Sequence, residues 1–163
     1  VPDRPRDRSR YRRVTDGASR DAGIRPAGAY SVARLVGELV HTAGMTPRVD
    51  GALVATGRIG RELDDAQALS ATRIATERAL AAAANAVPEG AFLTEVVSLT
   101  VYLAVADGFV RLSEIADAAS AVVVERFPDA SLPVRAALGV AALPGDAPVE
   151  IQLVARCTGG PIT

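Results

Sequence analysis

The stretch Val134-Arg-Ala-Ala-Leu-Gly-Val-Ala-Ala-Leu-Pro-Gly-Asp-Ala-Pro-Val-Glu-Ile-Gln-Leu-Val-Ala-Arg156 decides the fold. Val134 to Ala142 and Val149 to Arg156 read as two strands, joined by Leu143-Pro-Gly-Asp-Ala-Pro148. Each run holds a charge among apolar neighbours, Arg135 in the first and Glu150 in the second. An ionised group in a β core costs several kcal/mol unless it is paired or functional. Two readings follow: a salt bridge between neighbouring strands, or a carboxylate-binding arginine with an acid/base glutamate. If the strands pair as a hairpin about Gly145, Arg135 faces about Ala155 and Glu150 faces about Val140. The charges would then stand about five residues apart along the ladder, roughly 16 Å at ~3.3 Å per residue. That distance opposes an intrachain salt bridge. It leaves room for one pocket if a second copy of the chain supplies one of the two.

Upstream, Thr94 to Val105 is the longest strand candidate, rich in β-branched and aliphatic residues. A helix is expected from about Asp64 to Ala86. Ala68, Ala71, Ala75, Ala79, Ala82 and Ala86 recur at helical spacing, acidic residues sit at its start, and Pro88-Glu-Gly90 stops it. A second helix is expected from about Gly108 to Arg126, with Phe109, Leu112, Ile115, Ala116, Ala119, Val122 and Val123 as its buried stripe. Tyr30 to Leu35 and Glu38 to Ala43 read as a hairpin around Val36-Gly37, and Ala52 to Ala55 as a third short strand. The order β-β-β-α-β-α-β-β predicts an α+β fold: one mixed β-sheet with two helices packed on one face. Val40, Leu99, Val101, Val140 and Val154 are expected on the outward face of the strands. A sheet apolar on both faces in a small domain argues for oligomerisation.

The chain has 163 residues, 49% hydrophobic and 23% charged, which fits one globular domain. The formal net charge is −1, so there is no global basic field for nucleic acid. All 18 basic residues are arginine, which excludes chemistry that needs a lysine, such as a Schiff base or a Walker phosphate loop. A single histidine, His41, excludes multi-histidine metal sites, and a single cysteine, Cys157, excludes an intrachain disulfide. His41 reads as a packed or interfacial side chain and Cys157 as an inert thiol. Asp64-Asp65 reads as helix N-terminal charge rather than a metal site. Val1 to Arg13 carries six arginines and two aspartates, so residues 1–22 are expected to be a flexible Arg-rich arm. A domain is expected over residues 23–157 and a short tail over 158–163. No apolar run approaches a membrane span and no apolar stretch follows the first arginines, which gives the expectation of a cytoplasmic protein.

From Ala27 to Cys157 the chain resembles the RidA (YjgF) family of small trimeric imine/enamine deaminases. Ala27-Gly-Ala-Tyr-Ser31 looks like that family's Gly-Pro-Tyr-Ser entry, and His41-Thr-Ala-Gly-Met-Thr-Pro47 like its Ser-Gly-Gln-x-Pro loop. Val134-Arg-Ala-Ala-Leu-Gly-Val-Ala-Ala-Leu-Pro144 looks like its Ala-Arg-Ser-x-Val-x-Val-x-x-Leu-Pro stretch, and Val149-Glu-Ile-Gln152 like Val-Glu-Ile-Glu. The Thr56-Gly-Arg-Ile-Gly60 segment resembles a longer branch of the family. The resemblance implies a homotrimeric barrel with a pocket at each subunit interface and no cofactor. In that pocket Arg135 would bind a substrate carboxylate in a bidentate fork and Glu150 would position or deprotonate water. Tyr30 would line it, and the backbone N–H groups of Ala43 and Gly44 would meet the carboxylate or the developing charge. Ser113 stands where the family carries a helix-borne Asn, and Ala137 where it often carries Cys.

Ala43 also replaces the family's loop serine and Met45 its glutamine, so a more apolar pocket and a bulkier imine are expected. The reading is hydrolytic deamination of 2-imino or enamine acids to 2-oxo acids and ammonia. Its rivals are a relative dedicated to one pathway imine and a non-catalytic ligand-binding trimer. Ribonuclease action has little support, with only the N-terminal arm basic and no histidine pair.

Overall fold

A computed structural model describes residues 24–158. The expected arm over 1–22 lies outside the described residues, as does all of the expected tail except Thr158. Seven strands and two α-helices follow one another: β1 (Ala33–Val36), β2 (Leu39–Thr42), β3 (Arg48–Val49), β4 (Ala52–Leu53), α1 (Asp65–Asn85), β5 (Phe92–Ala104), α2 (Leu112–Arg126), β6 (Val134–Val140) and β7 (Val149–Thr158). The mixed sheet with two helices on it is the α+β fold expected from the sequence. β3 and β4 form a separate two-stranded ribbon, and the five remaining strands run β1-β2-β7-β5-β6. None of the described helices is long and apolar enough to cross a membrane.

The hairpin of the last two strands is corrected. β6 pairs in parallel with β5, and β7 pairs antiparallel with the other side of β5. The cause is the crossover through α2. A parallel neighbour needs such a connection, and α2 delivers β6 to the outer edge of the sheet. The 141–148 connection, with a 3-10 turn at Pro144–Asp146, then carries the chain past β5. The two strands do run antiparallel to one another, but thirteen residues of β5 lie between them.

α1 begins with a capping box. The Asp64 carboxylate accepts from Gln67 N at 2.8 Å, and the Gln67 side chain accepts from Asp64 N at 3.0 Å. Its alanine stripe faces the sheet, with Ala68, Ala71, Ala75, Ala79 and Ala82 buried. Thr72 and Thr76 are wholly buried beside it. Each hydroxyl donates to the carbonyl four residues back, at 2.8 Å, so neither is left unsatisfied. α2 starts at Leu112, later than the expected Gly108, because Gly108 takes a left-handed φ of 79°. Arg111 binds the Asp65 carboxylate and Arg73 the Glu125 carboxylate, joining the two helices on their outer side.

The register separates the two faces of the sheet. Leu99, Val101 and Leu103 of β5 are wholly buried, as are Val149 and Ile151 of β7 and Val40 of β2. Val40, Leu99 and Val101 therefore belong to the helix side and not to the outward face expected for them. The outward face carries Ser98, Thr100 and Tyr102 of β5 against Glu150, Gln152 and Val154 of β7. Exposed apolar groups instead gather on edge strand β6 and its approach: Leu132, Val134 and Leu138. The alanine stripe gives a test of the core. Ala79→Leu adds three carbons where there is no space, and should cost about 1–3 kcal/mol, read as a lower denaturant midpoint at unchanged slope.

Candidate active site

The residues proposed for a site fall into two groups on this chain. The first surrounds a cavity of about 110 Å³ lined by Tyr30, Gly44 and Glu150, with Val32, Met45, Thr46, Arg48, Arg78 and Pro144. It lies where β7 begins. Beyond β2 the chain continues beside β7, with Met45 N donating to Ile151 O at 2.8 Å and Ile151 N to Met45 O at 2.9 Å. That ladder brings Gly44 under the Glu150 side chain. A Cβ at residue 44 would overlap the Glu150 carboxylate, so only glycine leaves the acid where it stands. Glu150 makes no hydrogen bond or ion pair among the described residues. Half-burial pushes its carboxyl above the usual range, because the charged form loses water without gaining a cation.

The sign of that shift fixes a stability effect. The folded chain holds the Glu150 proton to higher pH than the unfolded chain, so this group's contribution falls as pH rises through the raised range. Glu150→Gln should be indistinguishable from wild type in electrostatic cost at about pH 4 and more stable at about pH 7. Thermal unfolding at both pH values reads the difference.

The second group lies around Arg135, on the helix side of β6. Arg135 is in register with Leu99, and Glu150 with Tyr102, on the opposite face of the sheet. The two charges do not pair, which agrees with the sequence argument although the register behind that argument was different. The Arg135 guanidinium is held by one face of α2. Nη1 donates to Asp117 Oδ1 at 2.7 Å and Ser120 Oγ at 2.8 Å, and Nη2 to Ser113 Oγ at 2.9 Å. Ser113 is thus beside the arginine, and Ala137 lies on the same face two residues further along β6. Asp117 and Ser120 were not anticipated. Their signal was legible, since 113, 117 and 120 follow helical spacing on one face.

Two expectations change. Ala43 N donates to Val32 O at 2.7 Å, so its N–H is not open to a ligand, and Ala43 does not line the cavity. Gly44 N has no partner among the described residues and is the available donor. The cavity is also not simply apolar. Met45, Val32 and Pro144 share its wall with Arg25, Arg48 and Arg78. The Tyr30 hydroxyl accepts from Ala27 N at 3.1 Å, which closes the 27–30 segment on itself at the cavity wall. His41 is exposed on β2 and Cys157 is buried, so neither enters the site.

Fold and side chains define a small α+β domain with two separated polar groups, one around an acid and one around an arginine. The Endoribonuclease L-PSP family model matches residues 21–157, and the chain belongs to that family, also called YjgF/RidA. Among solved structures, it is similar to an Agrobacterium tumefaciens protein of unknown function, at 27% identity and a TM-score of 0.71, over 80% of this chain and 84% of that one. A candidate endoribonuclease from Shewanella oneidensis matches at 24% identity and a TM-score of 0.76, over 82% and 88%. TdcF from E. coli, solved with bound serine, matches at 20% identity and a TM-score of 0.62, over 85% and 95%. No curated protein matches the chain.

Proposed function

We propose that the chain hydrolyses 2-imino or enamine acids to 2-oxo acids and ammonia, in pockets completed between copies of a homotrimer. The observation that carries this reading is the placement of an unpaired, half-buried Glu150 and a serine-held Arg135 on opposite faces of one sheet. Glu150 has no partner among the described residues, Arg135 is held against α2 by Asp117, Ser120 and Ser113, and each fits one end of an imino acid. Exposed Leu132, Val134 and Leu138, on edge strand β6 and its approach, would be covered in such an assembly. The serine bound by TdcF is an amino acid, with a carboxylate next to an amine-bearing carbon.

Arg135 of one copy would hold the substrate carboxylate through its planar fork. Ionised Glu150 of the next copy would take a proton from water as the water oxygen bonds to the imine carbon, and would pass that proton to the nitrogen. Glu150 would then take the carbinolamine's hydroxyl proton and deliver it to the amine as the C–N bond breaks, which releases oxo acid and ammonia. Gly44 N–H stands beside Glu150, where it would meet developing negative charge. A ribonuclease reading lacks a matching acid–base pair, with exposed His41 the one histidine in the chain.

The test is direct. Amino acid oxidases generate imines of several sizes in the presence of a competing trapping reagent, and oxo acid formation is followed. Acceleration by the folded protein is expected. No acceleration for any side chain would remove the deaminase reading.

A further inference from the structure

The cavity beside Glu150 contains more positive charge than the reaction above requires. Arg78, on α1, donates from Nη1 to the Arg48 carbonyl at 3.3 Å, so the two arginines stand together at one wall. Arg48 spends Nε on Thr46 Oγ1 at 3.2 Å and Nη1 on the Gly51 carbonyl at 2.8 Å, both neutral acceptors. Neither arginine has a carboxylate partner among the described residues. Arg78 Nε is buried and makes no hydrogen bond. Burial, and then the nearby Arg48 charge, pull the Arg78 pKa down.

Two like charges held together, one with a buried unpartnered N–H, are unfavourable as they stand and are relieved by an anion. Among the described residues, Glu150 is the one acid in the cavity lining, and no ion pair joins it to either arginine. Arg48 is also fixed in place by its two bonds, so its remaining Nη2 needs little further ordering to meet an anion.

We propose that Arg48 and Arg78 form a second anion subsite, and that the substrate is the imine or enamine of a dicarboxylic amino acid. This rests on the deaminase reading for its chemistry. The α-carboxylate would go to Arg135 of the neighbouring copy, the imine carbon to Glu150 and Gly44, and the side-chain carboxylate to Arg48 and Arg78. The cavity then selects against neutral side chains, which leave both guanidinium groups unpaired.

Two measurements on the full chain test this. The first compares kcat/KM for imines made in place from glutamate and from norvaline, with wild type, Arg48→Gln and Arg78→Gln. A wild-type preference for the glutamate imine of about tenfold or more is expected, with the acid-to-neutral ratio falling towards one in both variants. The second compares glutarate and pentanoate binding to wild type by calorimetry, which does not depend on a variant folding. Glutarate is expected to bind at least about tenfold tighter. Hydrolysis of both imines at equal rates, with glutarate binding no tighter, would overturn the subsite and leave the deaminase reading intact. Tight glutarate binding without hydrolysis of either imine would keep the subsite and overturn the deaminase reading.

Discussion

Arg135→Ala is expected to lower kcat/KM for a 2-imino acid by about 10²–10⁴-fold, mostly through KM. A hydrogen bond to a charged group contributes about 1.5–3 kcal/mol, and a fork on a carboxylate makes two. At about 1.4 kcal/mol per factor of ten, their loss spans that range. The fold should survive, because Arg135 lies on an edge strand and its partners are side chains at the surface of α2. Removing it leaves the Asp117 carboxylate alone near the vacated space, which adds repulsion to the lost attraction. Arg135→Lys should recover little, since an ammonium cannot reproduce the planar fork. Steady-state kinetics with far-ultraviolet dichroism checks both halves of this prediction. An unchanged KM would show that the carboxylate is bound elsewhere.

Gly44→Ala should be nearly as damaging to turnover and nearly silent in stability. Gly44 is not among the glycines with a positive φ, so alanine fits its backbone. The difficulty is the new methyl, which would overlap the Glu150 carboxylate, Cδ and Cγ. These atoms belong to a side chain that can swing away, so the chain folds and the acid leaves its position. Misplacing a reacting group by about 1 Å can cost on the order of 10²-fold in rate. The expected result is a kcat lower by about that factor with a wild-type unfolding midpoint. A matching loss of stability would mean that residue 44 holds the fold rather than the acid.

The sequence carried the element types and the two-helix, one-sheet arrangement because those depend on local pattern. The alanine stripe of α1 and its acidic start are local, and both appear as read, while the capping box at Asp64 is the structure's addition. Strand adjacency is not local. Val134–Val140 and Val149–Thr158 look like a hairpin because they are consecutive and antiparallel, and only the crossover through α2 places β5 between them. The outward assignment of Leu99 and Val101 failed because Ser98 to Leu103 alternates with its polar residues outward, while the register shifts at Leu93/Glu95 and Val96/Ser98 break the pattern of the apolar run before it. Glu150 and Arg135 stood out because charges are rare inside apolar strands. Arg48 and Arg78 did not, because an arginine in a loop or on a polar helix position reads as a solvated charge until its neighbours are known.

The central claim is that Arg135 and Glu150 serve one pocket from two copies of the chain. Arg135→Ala and Glu150→Gln, produced separately, should each be inactive trimers. Co-expressed under two different tags and purified as mixed trimers, they should regain about a third of the wild-type sites, because a mixed ring of three, whichever copy is doubled, has one interface where an intact arginine meets an intact glutamate. Mixed trimers with no recovered imine hydrolysis would contradict the account.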